Sequence, residues 1–450
     1  MNKYFIALFV TVLMAGHAPF AQAETTPASI EQRIANLEQE LAALKQQRAL
    51  EAEAAKTVSK NSPAVELDSR GLSVTSPDKQ FQLKLKGFAQ FDTRTFIGNS
   101  RRSNTDQMLI RTARPAIEAK FFEMFEARAV VDFGNAATRL VDAYADYKPD
   151  ARLNFRLGKF KPPVGLERLQ SEQNLALIER GMATNLVPSR DIGAQLYGSL
   201  LTQRLEYQAA LTTGTADLSN ADGDLDGMKD VTARLFARPM RQSEQTWLQG
   251  LGLGVAGSIG EHHGSATSPN LTTGYVTPAQ ARFFVYRSDA FADGTHWRIN
   301  PQAYYYYGPF GLLGEYILTG QHVARAGSAD TLRHRAWTTT ASYVLTGEDA
   351  RFDGVKPRDN FDWRQGSWGA FEVAARAGGL RVDDAAFPAF ADPAVSAQSA
   401  LDTTVGATWY LNPNIKLNAN YSYTVFEGGN ASGQDRVSEK VFMTRAQFGF

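Results

Sequence analysis

The sequence predicts an all-β protein, a 16-stranded antiparallel transmembrane β-barrel preceded by a short N-terminal coiled-coil helix. Three observations carry this expectation. From about Gln80 to the last residue, polar and apolar side chains alternate with period two in about sixteen segments. No later stretch has the run of about eighteen apolar residues that a membrane-crossing helix needs. The chain opens like an exported protein but contains no cysteine, so closure of a sheet, not disulfides, has to hold it together.

The first segment reads as a secretory signal peptide over residues 1–23. Lys3 gives the positive start, Tyr4 to Ala15 the apolar core, and Ala21-Gln22-Ala23 the small-residue cleavage site, so the mature chain is expected to start at Glu24. Residues 24–62 form a heptad helix and linker. Ile30, Ile34, Leu37, Leu41 and Leu44 recur at four-three-four-three spacing, with Glu31, Arg33, Glu38, Glu40, Lys45 and Arg48 outside that seam. Gln46 to Ser62 reads as a linker, closed by Pro63. Residues 63–450 are the barrel.

Within the barrel, Phe81, Leu83, Leu85, Ala89 and Phe91 alternate with Gln82, Lys84, Lys86, Gln90 and Asp92. Ile415, Leu417, Ala419, Tyr421 and Tyr423 alternate with Lys416, Asn418, Asn420, Ser422 and Thr424. Short turns such as Gly308-Pro309 and Asn412-Pro413-Asn414 contrast with long loops at 214–229, 262–280, 347–367 and 382–400. Aromatic residues gather near strand ends, Tyr304 to Tyr307, Trp337, Tyr343, Trp409 and Tyr410 among them, as rings at a membrane boundary do. The soluble alternative, a sandwich or propeller, requires no such belts.

In a membrane barrel the apolar set faces lipid and the polar set faces the lumen. Parity therefore places Arg114, Arg128, Arg152, Arg156, Arg234, Arg298 and Arg376 on the pore wall, with Lys84, Lys86, Arg94, Lys120, Arg204, Arg238, Lys416 and Arg445. Asp92, Glu118, Glu126, Asp132, Asp142, Asp146, Glu206 and Glu372 share that face, so lumen bases outnumber acids about two to one. A positive wall in a low-dielectric frame favours anions. The formal net charge is zero, which gives no argument for nucleic acid.

Between Phe160 and Asp191 alternation lapses for about thirty residues, a length that in a compact sheet is usually functional. This stretch, about 161–190, is expected to fold into the lumen and narrow it. It brings Lys161, the rigid pair Pro162-Pro163, Arg168, Arg180 and Arg190. Arginine offers a planar fork and lysine a point charge, both suited to a tetrahedral oxyanion.

Other candidates are weaker. Asp222, Asp224, Asp226 and Gly227 match the first half of a calcium loop, but position twelve is Ala233, not Glu. His262 and His263 lack further ligands, so no metal is expected. His296, His322 and His334 accompany no G-x-S-x-G motif, and neither an enzyme activity nor a cofactor is expected.

The chain from about Phe81 to Phe450 resembles the phosphate-selective porin O/P family. The likeness is densest in D-F-G-N from Asp132, D-A-Y-A-D-Y-K-P from Asp142, G-K-F-K-P-P-V-G-L-E from Gly158, I-E-R ending at Arg180, and V-P-S-R-D-I-G from Val187. Ile110-Arg111-Thr112-Ala113-Arg114 and Tyr343-Val344-Leu345-Thr346-Gly347-Glu348 extend it. The resemblance implies a homotrimer of barrels in the bacterial outer membrane, passing inorganic phosphate, polyphosphate or other small anions by passive diffusion. It also implies a basic constriction, carried over to Arg168, Arg180 and Arg333. The family's constriction is largely lysine, and here arginines stand in its place. A porin of weak ion preference that admits small organic solutes is the alternative.

Overall fold

The computed structural model describes residues 27–102, 104–220 and 222–450, so the expected signal segment lies outside the described residues. The chain divides into two compact units, residues 1–62 and 63–450. In the first, α1 (Pro27–Asn61) is a single helix, and Ile30, Ile34, Leu37, Leu41 and Leu44 are all exposed on it.

The second unit begins with a hairpin, β1 (Ala64–Asp68) and β2 (Gly71–Thr75), whose β2 lies on the first half of β3 (Phe81–Phe96). There follow β4 (Gln107–Phe121), β5 (Phe125–Asp132), β6 (Arg139–Asp150), β7 (Leu153–Phe160), β8 (Asp191–Leu200), β9 (Leu205–Thr212), β10 (Asp230–Ala237) and β11 (Leu251–His263). A small hairpin, β12 (Tyr275–Val276) and β13 (Arg282–Phe284), interrupts the series within a loop. Then come β14 (Phe291–Tyr307), β15 (Phe310–Arg325), β16 (Ser328–Val344), β17 (Ala370–Arg381), β18 (Ala397–Asn412), β19 (Ile415–Gly428) and β20 (Glu439–Gly449). Each barrel strand pairs antiparallel with its sequence neighbour, and β20 returns to the second half of β3, which closes a sixteen-stranded barrel.

Closure is sealed at the backbone and by charge. The Gly87 N–H donates to the Phe450 carbonyl at 3.0 Å and the Phe450 N–H donates back at 2.9 Å. Inside the same seam the Arg445 fork donates to both oxygens of Asp92, at 2.7 and 2.8 Å, with both groups buried.

The alternation does what it predicts. On β19, Lys416, Asn418, Asn420, Ser422 and Thr424 are buried, while Leu417, Tyr421 and Tyr423 face outward. Exposed Phe125, Tyr147 and Phe155 stack in a row near the end of the barrel where the barrel unit's own termini, Pro63 and Phe450, lie, with ring centroids 5.0 and 6.4 Å apart, one arc of an aromatic belt. The tyrosine run splits by parity: Tyr305 and Tyr307 face out, whereas Tyr304 and Tyr306 turn inward, Tyr304 onto Phe236 and Phe352.

The loops 161–190, 213–229, 264–290 and 382–396 open at the end opposite the termini. Two connections break the expected asymmetry. Ala326 and Gly327 make a two-residue turn on the long-loop side. The long segment 345–369 lies on the short-turn side and reaches the lumen, where the Gln170 amide donates to the Phe352 carbonyl at 2.7 Å.

Removing the carboxylate of Asp92 takes away the two-oxygen partner of the buried Arg445 and leaves it Glu179 at 3.3 Å as counter-charge. We expect Asp92→Ala to lower stability by about 1.5–3 kcal/mol. The check is the temperature at which the compact band on unheated gels converts to the unfolded one; unaltered heat resistance would show that the seam does not depend on this pair.

Candidate functional site

Residues 161–190 leave the sheet because Pro162 and Pro163 cannot donate to a ladder and Gly165, at φ +83°, turns the chain inward. One helical turn, α2 (Leu166–Leu169), follows, and the segment then crosses the lumen. Its near end is held by the wall at β14 to β16. Gly165 N–H donates to Asn300 Oδ1 at 3.0 Å, Leu166 N–H to Glu315 Oε2 at 2.7 Å and Ala183 N–H to Thr338 Oγ1 at 3.1 Å. Gly181 passes so close to Thr338 that a Cβ there would stand 2.4 Å from its methyl group. Its far end is held from β17 to β20. Lys416 Nζ donates to Leu175 O at 2.9 Å, Arg445 Nη1 to Ile178 O at 2.5 Å and Arg376 Nη1 to Glu179 O at 2.6 Å.

Glu179 is the hub of that anchorage. Its carboxylate accepts from Arg111 Nε at 2.7 Å, Arg94 Nη2 at 3.0 Å and Arg445 Nη2 at 3.3 Å. Burial alone would raise its pKa, but Arg111, Arg445 and Arg94 hold the carboxyl down at about 2. Glu172 is likewise held well below the usual carboxylate range, against the effect of burial, by Arg114 and Arg180.

One side of the infolded loop is apolar. Met182, Ala183, Leu186 and Val187 pack with Tyr275, Phe283, Phe284 and Phe390 against inward Ile317, Leu332, Ala336 and Leu380. That half of the lumen is filled. The open half runs beside β3 to β9 as three cavities in series.

The first, about 360 Å³ on the long-loop side, is lined by Arg111, Arg114, Arg139, Arg168, Arg180, Arg190 and Arg282 against Asp132, Glu172 and Glu179. The second, about 260 Å³, has Arg114, Arg128, Arg156, Lys161 and Arg190 against Asp142 and Glu172. The third, about 330 Å³ toward the termini, has Lys84, Lys120, Arg128, Lys148 and Arg156 against Glu118, Glu126 and Asp146. Bases outnumber acids in each. The first two share Arg114, Val141, Glu172 and Arg190, which together form a neck. There Arg114 Nη1 lies 2.6 Å from Glu172, and Arg190 Nε donates to Asp142 Oδ1 at 2.6 Å.

The sequence-predicted residues separate into groups. Arg114, Arg128 and Arg156 line the passage, the last with its guanidinium 3.8 Å over the Tyr144 ring. Lys161 faces the second cavity and donates to Leu169 O and Gln170 O at 3.1 and 2.9 Å. Arg168 and Arg180 face the first. Arg168 Nη2 donates to Thr184 O at 3.0 Å, while its buried Nε has no hydrogen-bond partner among the described residues; Arg180 Nη1 donates to Glu172 at 3.0 Å.

Arg234, Arg298 and Arg376 point inward but are sealed in. Arg234 donates to Gln302, Arg376 lies beneath Glu179, and Arg298 is fully buried between Asp217 and Asp230 at 2.8 and 3.4 Å. They brace the wall and the loops, because infolded segments fill that half of the lumen. Two expectations are corrected. Arg152 sits in the turn between β6 and β7, exposed and paired with Asp150 at 3.0 Å, not on the pore wall. Arg333 is not at the constriction. On β16, Leu332, His334, Ala336 and Thr338 are buried inside, so Arg333, Arg335 and Trp337 face out.

Parity reasoning missed Arg111. Strict alternation from Arg114 points it to lipid, but Gln90 pairs with Thr112 and Phe91 with Ile110, which leaves Arg111 in a bulge that turns it inward. A second bulge, where Val130 pairs with Asp142 and Val131 with Leu140, brings Val141 to the neck. Glu172 and Glu179 lie in a segment with no periodicity to read.

A closed barrel with an apolar exterior, a polar passage and an infolded loop is the architecture of an outer-membrane porin. Residues 81–450 match the family described as phosphate-selective porin O and P, and the chain belongs to that family. It is 25% identical to Porin O of Pseudomonas aeruginosa over 446 residues, 89% of this chain and 96% of the relative. Its fold is similar to the outer membrane channel DcaP of Acinetobacter baumannii, with TM-score 0.52, 13% identity, and 82% of this chain and 97% of that one covered. It is also similar to the anion-selective porin from Comamonas acidovorans, with TM-score 0.51, 11% identity, and 82% and 100% covered.

A folded-state pKa near 2 means that Glu179 contributes fully above its ordinary value of about 4.3, and that this contribution fades only as pH falls toward 2. Single-channel current should therefore stay quiet from pH 8 to 5, whereas Glu179→Gln should release the loop and give flickering current at pH 7. A quiet Glu179→Gln channel would show that the loop is seated by its apolar side alone.

Proposed function

We propose that this porin passes small anions, inorganic phosphate or polyphosphate among them, by passive diffusion through the three basic cavities. The observation that carries this is the neck, where Arg114 and Arg190 belong to both flanking cavities. An anion entering the first cavity exchanges water for the guanidinium donors that line it. It crosses the neck to Lys161 and leaves past Arg128 and Lys120. Glu172 and Asp142 hold part of each arginine's donor capacity, so binding stays moderate and release remains possible. The first cavity, about 360 Å³ and lined by seven arginines, has room for more than one phosphate group, which supports the polyphosphate reading.

Assembly as a homotrimer belongs to the same proposal. The exposed apolar seam of α1 would be covered by parallel copies. In that register, Arg33 of one helix faces Glu38 of the next and Glu40 faces Lys45. Leu37→Lys with Leu41→Lys should weaken the trimer, as read by sedimentation of the detergent-solubilised protein. An undiminished trimer would assign assembly to the barrels alone.

The main test is reversal potential in a planar bilayer under a salt gradient, with phosphate titrated as a blocker. We expect anion preference and saturable block, weakened about tenfold by Lys161→Gln or Arg180→Gln, since a charged hydrogen bond is worth roughly 1.5–3 kcal/mol. Arg152→Ala should change nothing. Anion preference without block would leave the reading of a porin with weak preference that admits small organic solutes.

A further inference from the structure

The two arginines on the outer face of β16 have no role in the passage. Arg333 and Arg335 are exposed on the same side of the strand as Trp337, and no ion pair or side-chain hydrogen bond engages either guanidinium among the described residues. Their neighbour across the ladder, Arg381, differs: it is compensated by Glu427 at 2.6 Å and Asp384 at 3.1 Å.

Their height can be estimated from the register. Tyr343 pairs with Phe310 near the end of the barrel where the termini lie, and both rings are exposed. Arg335 and Arg333 lie eight and ten residues further along β16. At roughly 3.3 Å per residue on a strand tilted by about 40°, that is about 20 and 25 Å, the upper edge of an apolar band about 25 Å tall. Trp337 lies one outward step below Arg335. The Trp297 ring lies over Gly320, the register partner of Arg333, so indoles flank the pair as they do at a membrane boundary. The long-loop side, where the pair sits, is the extracellular side of an outer-membrane barrel.

An arginine facing the bilayer midplane is costly, and one at the interface costs little. At that level Asp383 lies beside Arg333, its carboxylate accepting from the Arg333 backbone N–H at 2.7 Å, and the further counter-ions on the lipid side are headgroup phosphates, which the guanidinium fork matches. We propose that Arg333 and Arg335 form a binding site for the phosphorylated glycolipid headgroups of the outer leaflet, with Trp337 and Trp297 against the sugar and upper acyl region.

The test uses the full chain in detergent micelles, titrated with diphosphoryl lipid A, dephosphorylated lipid A and inorganic phosphate, and read by native mass spectrometry. We expect diphosphoryl lipid A to bind at least tenfold more tightly than the dephosphorylated form, and millimolar inorganic phosphate not to displace it. R333Q/R335Q should lose that tenfold preference while keeping the compact unheated band and the wild-type phosphate block. R333K/R335K should retain part of it. Equal binding of the two lipids, equal binding by R333Q/R335Q, or displacement by free phosphate would overturn the proposal. Loss of phosphate block in R333Q/R335Q would overturn the outward placement itself.

Discussion

The passage depends on one carboxylate. Glu179 sits where the infolded loop reaches the far wall, and it gathers Arg94, Arg111 and Arg445 from three strands while its own carbonyl takes Arg376 from a fourth. Those cations would repel one another without it, and a buried charge lacking a partner is among the more costly defects in a protein. Positive wall and negative anchor therefore require each other. The arginines that make the lumen basic also fix the loop, and the loop sets where the lumen is narrow.

The same economy explains the division of the interior. Loops 161–190, 264–290 and 382–396 form an apolar cluster against Ile317, Leu332, Ala336 and Leu380, side chains that an empty lumen would leave wet. Burying them adds to the stability of the filled half and gives the loop a rigid back. The open half instead lines its three cavities with charged groups. Acids there are few and tethered: Asp132 on Arg114, Asp142 on Arg190, Asp146 on Arg156. Each orients a guanidinium, so the donors are held in place before an anion arrives.

The barrel was legible because period-two alternation is a physical requirement of a wall with lipid on one face and water on the other. The strand count, the loop that leaves the sheet at Pro162 and the inward parity of Arg114, Arg128 and Arg156 all follow from it. Three features escaped. Arg111 is turned inward by a bulge, which is a matter of ladder register and not of residue type. Arg298 and Arg376 share the lumen parity but lie beneath infolded segments whose paths no periodicity encodes. Distance from a motif puts Arg333 at the constriction, whereas alternation along β16 places it on the other face. One step of parity separates a pore residue from a surface residue, so alternation read within the strand outweighs spacing counted from elsewhere.

The first cavity is lined by seven arginines and no lysine among the described residues. A guanidinium keeps its proton far beyond the alkalinity that neutralises an ammonium, and it is not a target of the acylating reagents that silence amines. The entrance thus keeps most of its charge in alkaline surroundings, with Arg168 the exception, since burial and the neighbouring Arg180 and Arg190 bring its pKa down to about 9, and it offers no amine to chemistry aimed at lysine. The mixed cavities below it, with Lys161, Lys84, Lys120 and Lys148, are where such agents would find something to alter.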